Sequence, residues 1–297
     1  MKKLLNIDGG GVRVYWSLLV LKYIENTTQK KIIDLFDYFT GVSASSIVMG
    51  CLLTKYSLDE LINLFDQITN KIFYRTYTES LLSLNGLVDS KYSDYYIEQE
   101  FKKIYEDMEL SQVKKPLTLL SYDILSDTPI SFESWNSETS NIKLWQAIRG
   151  STAAPTFFPP FVYNNHMLID GGILSNNLSE FTYQSAKKYY GQGEQFLHVS
   201  IGTGRFLPKI NHKPTGLLDW TGLFGMLFSA SANYQMYRLL NKPKISNEPG
   251  FHRFDFNLQE EICLDDYKSM DKLKGFFNDW ICDNAEKLDE ICKELIK

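Results

Sequence analysis

Short apolar runs alternate with longer runs of helical period along this chain, and that alternation limits its fold more than any other feature. Residues 3–8, 36–40, 117–123, 129–134 and 196–201 read as strands, with a hairpin at 161–163 and 167–169 turning around Asn164-Asn165. Helical patterns cover 14–25, 46–53, 57–72, 91–106, 142–149, 217–240 and 270–295; on the first, Trp16, Leu19, Val20 and Tyr23 share a face. Strands separated by helices pair mainly in parallel, because each helix carries the chain back to the starting end of the sheet. The expectation is an α/β fold whose mainly parallel sheet is covered by helices on both faces. Residues 240–250 read as a loop, no repeat or low-complexity linker divides the chain, and one domain over 1–297 is expected.

Composition then narrows the function classes. Of 297 residues, 44% are hydrophobic and 23% charged, an ordinary globular balance. The net charge of -5 gives no general basic character, so a nucleic-acid partner is not expected and simple electrostatic docking on anionic lipid is disfavoured. Cys51, Cys263, Cys282 and Cys292 form no C-x-x-C pair and no zinc-like cluster with histidine; they read as free buried thiols of a reducing compartment. The opening Met1-Lys2-Lys3-Leu4-Leu5 is cut short as a signal peptide by Asp8 and the glycines after it. No stretch is long and apolar enough to span a bilayer, so a soluble, cytoplasmic protein is expected, with peripheral membrane contact open.

Three constellations carry chemistry. Asp8-Gly9-Gly10-Gly11-Val12-Arg13 joins a strand to a helix. Its glycines leave backbone N–H groups uncovered at a helix N-terminus, where negative charge is favoured. An oxyanion hole, a phosphate cradle of the kind in actin-like sugar kinases, and an unliganded tight turn all fit. Gly41-Val42-Ser43-Ala44-Ser45 also joins a strand to a helix. A sharp elbow would lift the Ser43 hydroxyl clear of the sheet, and the alternative is a helix N-cap serine. Asp170-Gly171-Gly172 ends the apolar run Met167-Leu168-Ile169. Its carboxylate is a general base if a hydroxyl comes close, and otherwise an ordinary Asp-Gly turn. A Ser-Asp-His triad in α/β-hydrolase order would need a histidine after Asp170, and His198, His212 and His252 have no recognisable context for it; His166 precedes it.

Taken together and in order, these motifs resemble the patatin-like phospholipase family. The glycine-rich stretch is similar to the family's oxyanion motif, Gly41–Ser45 to its nucleophile elbow and Asp170-Gly171-Gly172 to its catalytic-aspartate motif. Arg149-Gly150-Ser151-Thr152-Ala153-Ala154-Pro155, Phe158-Pro159-Pro160 and Ser200-Ile201-Gly202-Thr203-Gly204 resemble further family stretches. The motifs occupy a core of about 4–240, followed by a helical segment at about 267–297. The resemblance implies a lysophospholipase-like three-layer α/β/α sandwich and a Ser–Asp dyad that cleaves acyl esters of phospholipids or lysophospholipids. By position Ser43 is then the nucleophile and Asp170 the proton acceptor. Gly9, Gly10 and Gly11 form the oxyanion loop, with the N–H groups around Gly10 and Gly11 as donors and Arg13 fixing the loop. Gly41 and Ser45 flank the nucleophile, and Gly171 and Gly172 follow the aspartate. No metal or cofactor is implied; the partners are the lipid substrate and a transient membrane surface.

Two departures stand out: Val14 follows Arg13 where the family often has glycine, and Ser45 replaces the last elbow glycine. Both alter packing beside the site without removing a reacting group. For the acyl path, Trp220, Leu223, Phe224 and Leu227 fall on one face of a glycine-bearing helical segment at 216–228, which is expected to line the acyl channel, to touch the membrane or simply to be core.

Overall fold

A computed structural model describes residues 1–74, 89–206, 223–241 and 250–297. The sheet has eight strands: β1 (Lys2–Ile7), β2 (Tyr38–Val42), β3 (Leu117–Asp123), β4 (Thr128–Glu133), β5 (Phe161–Tyr163), β6 (His166–Asp170), β7 (Phe196–Ile201) and β8 (Phe251–Phe254). The helices are α1 (Val14–Thr28), α2 (Ile32–Leu35), α3 (Ala44–Leu52), α4 (Leu58–Ile72), α5 (Asp94–Tyr105), α6 (Leu144–Ser151), α7 (Gly172–Ser175), α8 (Ser179–Tyr190), α9 (Leu223–Asn241) and α10 (Met270–Leu295). Strand order is β5-β6-β3-β2-β1-β7-β8, with β4 also on β3. β1, β2, β3, β7 and β8 pair in parallel, whereas β4 and β6 run antiparallel to β3, and β5 to β6.

The central strands are largely buried because both faces are covered, giving the expected three-layer α/β/α sandwich. On one face Leu5, Phe39 and Leu197 join the main core with α1, α3, α4, α5, α6 and α10. On the other, Leu4, Tyr38 and Phe196 pack under Tyr183 and Ala186 of α8. The single stripe expected on α1 is too narrow: Leu18, Leu21 and Ile24 are buried as well as Trp16 and Val20, while Leu19 and Tyr23 are only half-buried. α10 lies over α1, adding Leu273, Leu288 and Leu295 to the same core.

Several elements depart from the sequence reading. The second strand is shifted to Tyr38–Val42, since Ile32–Leu35 forms a helical turn just before it. α8 is a helix where none is expected, and β8 adds an edge strand after the 240–250 stretch. All four cysteines are free, but only Cys51 and Cys292 are buried; Cys263 and Cys282 are exposed. Among the described residues, no helix is long and apolar enough to cross a membrane.

One feature of the sheet brings the site together. β3 gives one edge to β4 along nearly its whole length, so β2 and β6 share the other edge end to end. β2 runs up β3 as far as Val42 opposite Leu120, and β6 runs down it as far as Asp170 opposite Ser121. Their carboxyl ends therefore meet head to head on neighbouring residues of one strand.

Candidate active site

Ser43 sits where β2 turns into α3, with φ 56° and ψ -138°, a conformation costly for a residue with a side chain. Surrounding bonds hold it there. Its N–H donates to Ser151 O at 3.1 Å and to Ser151 Oγ at 3.2 Å. Its carbonyl accepts from Ser46 N–H at 2.9 Å, the first turn of α3. Gly41 lies in β2 with Met49 and Ser46 so close that a Cβ would be crowded at 3.0 Å.

Ser45, the departure from the elbow pattern, is fully buried and bonded. Its Oγ accepts Val42 N–H at 2.9 Å and lies 2.8 Å from both Ile7 O and Val42 O, so the hydroxyl ties the elbow to β1. The second departure brings no backbone strain: Val14 has φ -57° and ψ -21°, ordinary helical backbone that needs no glycine.

Asp170 is fully buried. Its N–H donates to Ala153 O at 3.0 Å, and its Oδ1 accepts Gly172 N–H at 2.8 Å. Gly171 must be glycine, because a Cβ there would lie 2.5 Å from Leu120 O. The end of α6 and the residues just after it therefore tether both candidate residues, Ser151 holding the backbone of Ser43 and Ala153 that of Asp170. Burial pushes the Asp170 carboxyl up to about 7, opposed by hydrogen bonding from the Ser43 hydroxyl and the Gly172 N–H. Its Oδ2 is buried without a closed hydrogen bond, so the carboxylate keeps free acceptor capacity beside the serine.

The glycine loop forms the third side. Gly9 lies against Ser43 and Asn176, and its N–H already donates to Asn176 O at 3.2 Å, which leaves Gly10 and Gly11 as the candidate donors of the loop. Among the described residues the Gly10 and Gly11 N–H groups have no acceptor in the chain. Gly11 has φ +55°, and a Cβ there would lie 2.0 Å from Leu264 O, the carbonyl that accepts Val12 N–H at 2.8 Å. Arg13 fixes the loop by donating through Nε to Gly10 O and through Nη1 to Gly204 O, both at 3.4 Å. Below the loop, Arg253 of β8 grips Asp8 with two bonds, Nη1 to Oδ1 at 3.2 Å and Nη2 to Oδ2 at 2.6 Å. Thr203 donates to Gly9 O at 2.8 Å and Asn176 Nδ2 to the same carbonyl at 3.0 Å.

Sequence reasoning missed Ser151, Asn176 and Arg253 as parts of this site. Ser151 and Thr203 lay inside motifs already singled out, whereas nothing local marks Asn176 or Arg253. No described histidine joins Ser43: His166 Nδ1 bonds Asp123, His198 Nε2 bonds Asn6, and His252 faces Glu294. Burial drives His198 down to about 3, so it stays neutral. His212 lies outside the described residues.

Ser43, Gly10 and Gly11 open onto an apolar cleft. Its wall is the inner stripe of α4, Phe65, Ile68 and Ile72, faced by Ile47 and Phe158. α4 presents that stripe because Ser57 and Glu60 form a reciprocal cap at its start and the apolar residues recur at helical spacing. Of the channel expected at 216–228, residues 216–222 and the side chains of Leu223, Phe224 and Leu227 lie outside the described residues.

The patatin-like phospholipase family model matches residues 5–181. The chain is 27% identical over 318 residues to calcium-independent phospholipase A2-gamma of Oryctolagus cuniculus, covering 99% of this chain and 39% of that protein. It is 27% identical over 272 residues to patatin-like protein 3 of Arabidopsis thaliana, covering 73% and 63% of the two chains. The chain thus spans about two fifths of the length of its mammalian relatives. Among solved structures, VipD from Legionella pneumophila aligns with a TM-score of 0.47 at 11% identity, over 94% of this chain and 67% of that one. On the family match, which runs from β1 through the elbow and the aspartate into α8, the chain belongs to the patatin-like phospholipase family.

Proposed function

We propose that the protein is a serine lipid acyl hydrolase of phospholipase A or lysophospholipase type, working through a Ser43–Asp170 dyad. What carries the reading is the meeting of a strained, buried-base serine with two free backbone amides at the end of an apolar cleft. The mammalian relatives are named phospholipases A2, and that activity is extended to this chain as part of the proposal.

In the first step Ser43 Oγ attacks the ester carbonyl carbon while Asp170 takes its proton. The carbonyl π pair moves onto oxygen, and the oxyanion settles against the Gly10 and Gly11 N–H groups, each worth about 3 kcal/mol in good geometry. Collapse expels the alcohol, which takes the proton back from Asp170 and leaves an acyl-serine. Water then attacks that ester with Asp170 again as base, releasing the fatty acid and restoring Ser43. The Asp170 carboxyl suits both roles because burial sets it near neutrality. The acyl chain occupies the cleft under α4.

The test is lipid analysis of phospholipid mixtures treated with wild-type protein or with Ser43→Ala. Release of free fatty acid and lysolipid by the wild type alone is expected. Equal product patterns from the two proteins would sink the reading.

A further inference from the structure

A second cavity lies on the other side of the glycine loop, and its chemistry is opposite to that of the acyl cleft. It sits outside the carboxyl ends of β1, β7 and β8. The chain leaves β1 towards β2 on one side and reaches β7 on the other, so this is the crevice where strand order reverses, a place where open α/β sheets bind ligands. α9 supplies the facing wall, including Asn233.

Its charges are unequal. Arg13, Arg205 and Arg253 face Asp8 and Asp255, three guanidinium groups against two carboxylates. Arg253 is used up internally: its Nη atoms bond Asp8, Asp255 and Ser200. Arg205 is not. Its Nε lies 3.4 Å from Asp255 Oδ2, its side chain is 47% exposed, and its terminal nitrogens have no acceptor among the described residues. A half-exposed guanidinium fork beside side-chain amides is the donor set that a phosphate oxyanion takes.

Arg13 and Asn176 line both cavities, so the two are neighbours across these side chains, and Gly9, which packs on Asn176, lies against Ser43. A phospholipid ester has the matching shape, with an acyl chain on one side of the scissile carbonyl and a phosphate a few bonds away on the other. We propose that the polar cavity receives the head-group phosphate of the substrate, with Arg205 as its free contact and the determinant of preference for phospholipids over uncharged glycerides. This rests on the acyl-hydrolase reading above.

The experiment compares wild type with Arg205→Gln, and with Asn233→Asp as a second variant should the first fail to fold. Three substrates are used: dihexanoyl phosphatidylcholine below its micellar concentration, dihexanoylglycerol and p-nitrophenyl butyrate. KM for the phospholipid is expected to rise about tenfold, the effect of losing one charge-assisted contact, with kcat and both uncharged esters unchanged. Glycerophosphocholine is expected to bind the wild type and not the variants in titration calorimetry. Equal losses on all three esters would make Arg205 a support of the glycine loop, and unchanged kinetics would make it a bystander; either overturns the proposal. Competition by inorganic phosphate with an unaltered phospholipid KM would assign the cavity to free phosphate and overturn it too. If no ester is cleaved even by the wild type, the hydrolase reading fails, and glycerophosphocholine binding alone decides the cavity's role, absence of binding overturning it.

Discussion

Two aspartates in this molecule look alike on paper and behave differently in the fold. Asp8 directly follows β1 and Asp170 ends β6; each precedes two glycines and each is buried, at 3% and 0% exposure. Asp8 is gripped by Arg253, a residue 245 positions away, and has Asn6 beside it. Burial raises its pKa to about 6, the guanidinium opposing but not cancelling the rise. Asp170 has no cation, one backbone donor and one oxygen left open. The first carboxylate is a fixed counter-ion beneath the glycine loop; the second is the proton acceptor of the proposed mechanism. The same three letters therefore specify support or chemistry according to what the tertiary fold brings to the carboxylate.

The sharpest way to break this contrast is activity. Asp170→Asn and Ser43→Ala should each lower kcat for a short-chain ester by at least about a thousandfold, with the double variant no worse, because the pair acts as one unit. Asp8→Asn should leave far more activity in whatever protein remains folded. An Asp8→Asn protein that is folded and as dead as Asp170→Asn would erase the distinction. Stability should run the other way. Asp8→Asn leaves Arg253 short of a buried counter-charge and should cost about 3 kcal/mol in denaturant unfolding.

The pH profile is the next effect in size. Asp170 must be ionised to accept the proton, so log kcat/KM should rise with unit slope up to about pH 7 and then level off. That amounts to about fiftyfold between pH 5 and 7 and about a hundredfold between pH 5 and the plateau. A profile flat over that range would remove Asp170 as the titrating base. The same shift has a smaller consequence for folding. The carboxyl titrates near 3.8 when unfolded and near 7 when folded, so between those values the native state holds a proton that the unfolded chain has lost. Stability from this group is therefore greatest at low pH and declines as pH rises through that window. Asp170→Asn removes the burden and should stabilise the protein by about 2 kcal/mol at pH 8, the gain shrinking towards pH 4.

Much of this was legible in the sequence because it is written locally. Turn chemistry marks the glycine loop, the elbow and Asp170, and apolar period marks most strands and long helices. What escaped is relational. Arg253 reads as one basic residue in Phe251–Phe254, a strand so short that only its alternating Phe-His-Arg-Phe hints at it. α8 hides because it buries Thr182 and Ser185 as well as Tyr183 and Ala186, blurring any apolar stripe. The acyl channel was expected at 216–228, most of which lies outside the described residues, and the apolar stripe of α4 that lines the described cleft was not singled out. Amphipathic helices look alike until the fold shows which faces line an opening. The meeting of Ser43 with Asp170 depends on β2 and β6 sharing one edge of β3, which no local pattern encodes.

Ser45→Gly tests the smallest effect, and the one on which sequence and structure differ most in emphasis. By pattern, Ser45 is a departure that crowds the elbow. In the fold its hydroxyl accepts Val42 N–H and reaches Ile7 O, joining the strand that carries Asp8 to the strand that carries Ser43. Restoring glycine would delete that bridge and add backbone freedom in the first turn of α3. The expected cost is about 1–2 kcal/mol, seen as a fall of about 2–4 °C in Tm for a chain of this size. Ser43 would keep its anchors on Ser151 and Ser46, so kcat should change by less than about twofold, well under one kcal/mol of barrier. A tenfold rise in kcat would instead show that Ser45 restrains the nucleophile, and the contrast between support and chemistry would then run through the elbow as well as between the two aspartates.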